Sequence, residues 1–317
     1  MEVVDSRSVA DFQKFTFSGH LRTGVLKVID ENIRLGNADY TCYWALEMLC
    51  SGLVHSLWTQ FFESSAKHIH RACPAIFPYL VRKYEDFSVF EHQYPVLQMT
   101  AIRNNVAVRD IICEVAATLA LCRKHKAILL PKIRPEHDFI PATIQEMLKA
   151  PSSTFGRAVS LGEDPIELYV PLNEFVYCLK PESRDVMRAL YWCAWMLKYT
   201  SQKKKEKQEI VCGFRGNEYI DDVGARHPIW MIWDAVHKAS IPIHRAHIDA
   251  LFKMYCLRWK PALLKQKMPF LLSAIEFVCE GGALDIHARV PTEYSLLLAN
   301  IPQWIQAIVD TKKTFTS

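Results

Sequence analysis

The 317-residue chain has little of what usually announces a chemistry. Its ten cysteines, at 42, 50, 73, 113, 122, 178, 193, 212, 256 and 279, stand singly and never as Cys-x-x-Cys. That pattern fits reduced thiols in a reducing compartment better than a disulfide framework. No run approaches the roughly 18–20 apolar residues needed to cross a bilayer, and Met1–Gln13 has no apolar signal-peptide core. The expectation is an intracellular protein without a membrane partner. There is no Gly-x-x-x-x-Gly-Lys-Ser/Thr stretch, so a nucleotide-binding ATPase module and its cofactor are not expected. The net charge of +4 is too small to imply nucleic acid binding by itself, so an anion-binding role needs local clustering. Apolar residues at 50% and charged residues at 23% are the balance of a folded chain.

What is present is a pattern written twice. Asn37–Arg82 contains Tyr43-Trp44, Leu57-Trp58, His70-Arg71-Ala72 and Tyr79-Leu80-Val81-Arg82. In the same order come Tyr191-Trp192, Ile232-Trp233, His244-Arg245-Ala246 and Tyr255-Cys256-Leu257-Arg258. Four matches in one order predict a duplicated helical unit, anchored by Tyr43, Trp44, His70, Arg71, Tyr191, Trp192, His244 and Arg245. The fold class that follows is all-α, with two related helical-hairpin units in one elongated or bilobed body. The predicted divisions are a flexible N-terminus over 1–17, a first unit over 18–130, a connecting segment over 131–180 and a second unit over 181–317.

Local signals place the helices. Ser18 and Gly36 read as the caps of a first helix, and a second from about Asp39 to Cys50 has apolar residues too widely spread for one narrow stripe and should lie deep between neighbours. A third runs from about Val54 toward His68, a fourth follows Cys73-Pro74, and Pro95–Ala127 reads as one long helix or two with Arg103, Arg109, Arg123, Lys124 and Lys126 facing outward. Thr143 and Asp164 each precede an acid by three positions and read as N-caps. Pro269 opens a late helix that Gly281-Gly282 stops, and Leu296–Leu298 with Trp304 should dock back on the body.

Between its two tryptophan helices the second unit carries about 27 extra residues, 198–226, including Lys203, Lys204, Lys205, Lys207 and Arg215. A loop added to one copy of a scaffold adds little core and acts at the surface. With Arg123, Lys124 and Lys126 it is the candidate contact for DNA or another polyanion, against the plainer reading of a solvated helix end offset by Glu206 and Glu209. His68, His70, Cys73, His244 and His247 are the nearest approach to a zinc set, but the two copies disagree at these positions and no metal is expected. Asp138, Glu163, Asp164, Glu167 and Glu174 suit a hard cation and a nuclease only remotely, since nothing beside them nominates an acid or base. The eight tryptophans read as core rather than as a stacking platform. No catalytic residue is nominated.

Two resemblances bear on function. Ser18–Leu26, Cys42–Leu49, Arg103-Asn104-Asn105 with Arg109, Asp164-Pro165 with Asn173-Glu174, and Ala189–Trp192 resemble an uncharacterised protein family shared by large DNA viruses of eukaryotes. Residues 40–87 are similar to the helical C-terminal collar of clamp-loader-type ATPases, which oligomerises and binds no nucleotide. Together they imply a non-enzymatic accessory or scaffold protein in viral DNA replication or expression. Its partners would be proteins, among them replication or transcription machinery or a second copy of itself, with DNA as a further partner. The alternative is a virion or assembly protein with no nucleic-acid role.

Overall fold

The computed structural model describes residues 2–94, 96–216, 219–221, 224–280 and 290–312, of which 96–98 in backbone only. Among these the chain is all-α: helices joined by 3-10 turns, no strand, and one isolated bridge between Phe15 and Leu21. It divides into two compact units, the described residues of Met1–Lys126 with Asp285–Ser317, and those of Ala127–Leu284.

The first unit is built on α1 (Arg22–Leu35), α2 (Ala38–Cys50), α3 (Val54–His68), α4 (Ile76–Glu91) and α5 (Val106–Leu121). Gly36 ends α1 as expected, at φ +83, where its N–H reaches the Asn32 and Ile33 carbonyls. Ser18 is not the N-cap. Its N–H and hydroxyl donate instead to the Glu47 carboxylate at 2.7 and 2.9 Å, because Glu47 is itself fully buried and needs donors there. Cys42, Ala45, Leu46, Met48, Leu49 and Cys50 on α2 are all solvent-inaccessible, while Asp39 and Tyr40 in its first turn are exposed. Residues 2–17 are held against the first unit. Val3 exchanges two backbone hydrogen bonds with the Asn104 side chain, and Phe12, Thr16 and Phe17 are fully buried.

Arg103 and Arg109 face inward, contrary to the outward placement that their charge suggests. Arg103 donates to the Cys50 and Asp5 carbonyls at 3.0 and 2.9 Å, and Arg109 to the Arg103 carbonyl at 2.6 Å. A guanidinium carries five donors, enough to satisfy carbonyls that a 3-10 turn leaves unpaired.

The second unit holds α6 (Pro135–Asp138), α7 (Pro141–Met147), α8 (Tyr169–Cys178), α9 (Val186–Lys205), α10 (Ile229–Ala239), α11 (Arg245–Cys256) and α12 (Leu264–Glu280). Residues 131–180 are therefore part of this unit rather than a connector, with α8 packed along α9. Thr143 sits inside the first turn of α7, whose cap position is Ile140, so it is not an N-cap. Asp164 is not one either, as shown below. Pro269 lies inside α12, not at its start, and Gly281-Gly282 fall outside the described residues.

The tail belongs to the first unit rather than to 181–317. Its helices α13 (Ser295–Leu298) and α14 (Ile301–Asp310) pack on α5 and α2, with Ile301, Ile305 and Ile308 as the buried stripe of α14. Lys312 pairs with Asp5 at 3.0 Å.

The sets α1–α5 and α8–α12 share several pairings, α1 against α2 as α8 against α9, α2 against α5 as α9 against α12, α3 against α4 as α10 against α11, whereas the packing of α1 on α5 and of α2 on α3 has no equal in the second unit. A 3-10 turn precedes the fourth helix in both, His70–Ala72 and Pro242–His244.

Candidate functional site

The residues matched between the two halves of the sequence have different surroundings. His70 and His244 are each 1% exposed, while Arg71 is half-buried and Arg245 exposed. His70 takes φ +24, unusual for a non-glycine residue, and its Nε2 lies 3.4 Å from Nδ1 of His125. Tyr43 and Trp44 meet edge to face at 5.2 Å, as do Tyr191 and Trp192. Trp192 is fully buried, whereas Trp44 is half-exposed against His20. Burial raises both phenols, Tyr191 to about 12.

Of the carboxylates nominated for a cation, Asp138 and Glu174 are committed to the fold, while Glu163 and Glu167 are exposed. Asp138 accepts from Arg134 N at 2.6 Å and from the Tyr191 hydroxyl, and Glu174 accepts from Lys149 N and Ala150 N. His68 pairs with Asp30 at 3.1 Å. Among the described residues no three His, Cys, Asp or Glu side chains converge as a metal set. All ten cysteines are free and buried, and burial pushes the Cys193 thiol up to about 12, away from nucleophilic thiolate. Trp58, Trp192, Trp195, Trp230 and Trp233 are core residues.

The basic candidates divide sharply. Lys203, Lys204 and Lys205 form the last turn of α9, where cations complement the helix dipole. Lys203 pairs with Glu206 at 3.1 Å and Lys204 with Glu209 at 3.0 Å. The side chains of Lys205 and Lys207 are exposed, with no ion pair among the described residues. Arg123 and Lys126 are exposed on the first unit, so the two basic strips lie on different units. Lys124 is withdrawn from that surface: its ammonium donates to the Leu119, Ala120 and Cys122 carbonyls and caps α5.

Arg215 is also no surface cation. Its side chain is 5% exposed and bridges Asp164 at 2.6 Å and Asp234 at 2.7 Å, with a further bond to the Val159 carbonyl. Burial alone would raise the Asp164 carboxyl, but hydrogen bonds from Arg215, Leu161 N and Gly213 N outweigh it and hold it below the ordinary value. This triad fastens the loop that follows α9 to the stretch before α8. Asp234, one helical turn into α10, carries no local signal of such a role, and sequence reasoning missed it.

Where these stretches meet lies a cleft of about 460 Å³. Pro165, Tyr199, Ile210 and Val211 form its apolar walls. Glu167, Glu209 and Lys203 supply the charge. Tyr199 stacks on Trp195 at 5.0 Å, and the Lys203 ammonium sits 5.6 Å from its ring centre.

No family model, curated protein or solved structure matches the chain. Among the described residues no helix is long and apolar enough to cross a membrane.

Proposed function

We propose that the protein is a non-enzymatic helical scaffold, duplicated from one ancestral unit, that binds other macromolecules through the surface of its second unit. The observation that carries this reading is the Arg215 triad. A buried ion pair contributes little net stability once desolvation is counted, yet here it fixes a long loop at the surface. Fixing such a loop serves recognition, since a binding surface that is already ordered loses less entropy on contact. The duplication is supported by the shared helix order and by the paired buried histidines. A place in the replication or expression machinery of a large DNA virus is supported by the sequence resemblances alone.

Lys205 and Lys207 are the groups through which the scaffold would hold DNA. Fluorescence anisotropy on a labelled DNA duplex tests this: native protein binds at low salt and releases as salt rises, and the Lys205→Glu, Lys207→Glu double variant loses binding. If native protein fails to bind at low salt, the DNA half is wrong and the scaffold is an assembly protein without a nucleic-acid role.

A further inference from the structure

The last turn of α9, the start of α10 and the turn from α11 to α12 meet around His227. Its ring lies 5.8 Å from that of Trp259 in the α11–α12 turn, and burial first and then the charge of Lys204 on α9 depress it. The α11–α12 turn is one-sided in charge. Residues 250–275 carry Lys253, Arg258, Lys260, Lys265 and Lys267 and no acid. Lys267 is buried and donates to the Met254 and Leu257 carbonyls at 3.0 and 2.9 Å, which orders the turn. Arg258, Lys260 and Lys265 are exposed and make no ion pair among the described residues. Of the described acids nearby, Glu209 pairs with Lys204. That leaves Asp221, across Gly224 from Trp259 and bonded to Gly224 N at 2.6 Å, against Lys205, Lys207, Arg258, Lys260 and Lys265.

Helix stability explains only part of this charge. Lys207, just past α9, and Arg258, just past α11, take φ +61 and +53, which glycine adopts freely and a long side chain adopts at a cost. A cation there at least suits the negative end of a helix dipole. Lys260 and Lys265 lack even that gain, since they stand before and within the first turn of α12, where no acid offsets the positive end. One anion outside the chain accounts for all of them. The exposed residues of the turn include no large apolar side chain that could enter a bilayer, so the repeated phosphates of a nucleic acid fit it better than a membrane does.

We infer that Arg258, Lys260 and Lys265 are phosphate contacts for the same DNA duplex that Lys205 and Lys207 hold, which makes this end of the second unit one continuous nucleic-acid surface. The inference rests on the DNA half of the reading above and adds contacts to it.

The test is fluorescence anisotropy of a labelled DNA duplex across a salt series, with the full chain as native protein, as Lys205→Glu, Lys207→Glu, and as Arg258→Gly, Lys260→Ser, Lys265→Gln. Each phosphate contact contributes about 0.9 to the slope of log affinity against log salt. The triple variant lowers that slope by about two to three and weakens binding at least about tenfold at low salt. Its melting temperature stays native, because glycine suits φ +53 and the other two side chains face solvent. Lys260→Ser, Lys265→Gln alone, which leaves the left-handed turn untouched, lowers the slope by about two. A triple variant that binds with the native slope overturns the inference and leaves the DNA reading on Lys205 and Lys207. Native protein that fails to bind the duplex at low salt sinks both. Native protein that binds phosphatidylserine vesicles and not the duplex, with that binding lost in the triple variant, assigns the turn to a membrane surface and also refutes the inference.

Discussion

The corresponding helices α2 and α9 face one structural problem and solve it with different parts of the chain. Each buries a run of apolar and aromatic side chains broader than one narrow stripe, Cys42–Cys50 on α2 and Ala189–Met196 on α9, and needs cover on more than one side. Over Tyr43 of α2 the cover comes from the far end of the sequence, where the phenol bonds Thr311 and α14 lies along the helix. Over Tyr191 of α9 it comes from α6, whose Asp138 takes the hydroxyl and whose carbonyl accepts from Trp195 Nε1 at 2.8 Å. A shared helix order therefore does not dictate which segment seals a core. Burial demands a cover, and any amphipathic piece within reach of the chain can supply it. The units also differ in how the next helix is reached. A short turn separates α2 from α3, whereas a long loop bolted down by Arg215 separates α9 from α10.

The largest break in this comparison is Arg215→Ala. It leaves Asp164, 2% exposed, as an unpaired buried charge, which costs about 3–5 kcal/mol. Urea unfolding will show the transition of the second unit shifted and that of the first unmoved, and limited proteolysis will cut within 206–228.

Acid separates the units next. Burial depresses His227 from 6.5 to about 4, and its Nδ1 accepts from Ile229 N. The folded imidazole stays neutral while the unfolded one protonates, so its contribution is complete above pH about 6.5 and is lost as pH falls toward 4, about 3 kcal/mol in all. Asp164, held low, adds a loss only below the ordinary carboxylate value of about 3.9. His227→Gln should flatten the pH 7 to 4 limb of stability measured by denaturant titration.

Ile305→Ala removes the fully buried middle of the α14 stripe and should cost the first unit roughly 2–3 kcal/mol. The half-exposed Trp44 then reports loosening of the cover as a red-shifted emission in variants that keep only this tryptophan on the first unit. Smallest of all, the Lys205→Glu, Lys207→Glu pair should leave stability within about 0.5 kcal/mol, so any loss of DNA binding by that variant is a surface effect.

Local signals were legible where the cause was local. The span of α3, the Gly36 stop and the burial of α2 follow from periodicity and one capping residue. Ser18, Thr143 and Asp164 misled because a small polar residue before an apolar run can serve a distant partner as well as a helix start, and for Ser18 and Asp164 Glu47 and Arg215 claimed it. Arg103, Arg109, Lys124 and Arg215 misled for a related reason: a long cationic side chain reads as surface until the carbonyls and carboxylates within its reach are known.

Composition and periodicity were sufficient, by themselves, to determine an all-α chain and its central aromatic helices, because helix formation and burial depend on neighbours three and four residues apart. Which lysines stay free, which segment covers α2, and that Glu167 and Glu209 share a cleft with Lys203 were decided only by the tertiary structure. Those outcomes depend on groups tens to hundreds of residues apart in the chain, and no spacing along the sequence encodes the distance between them in space.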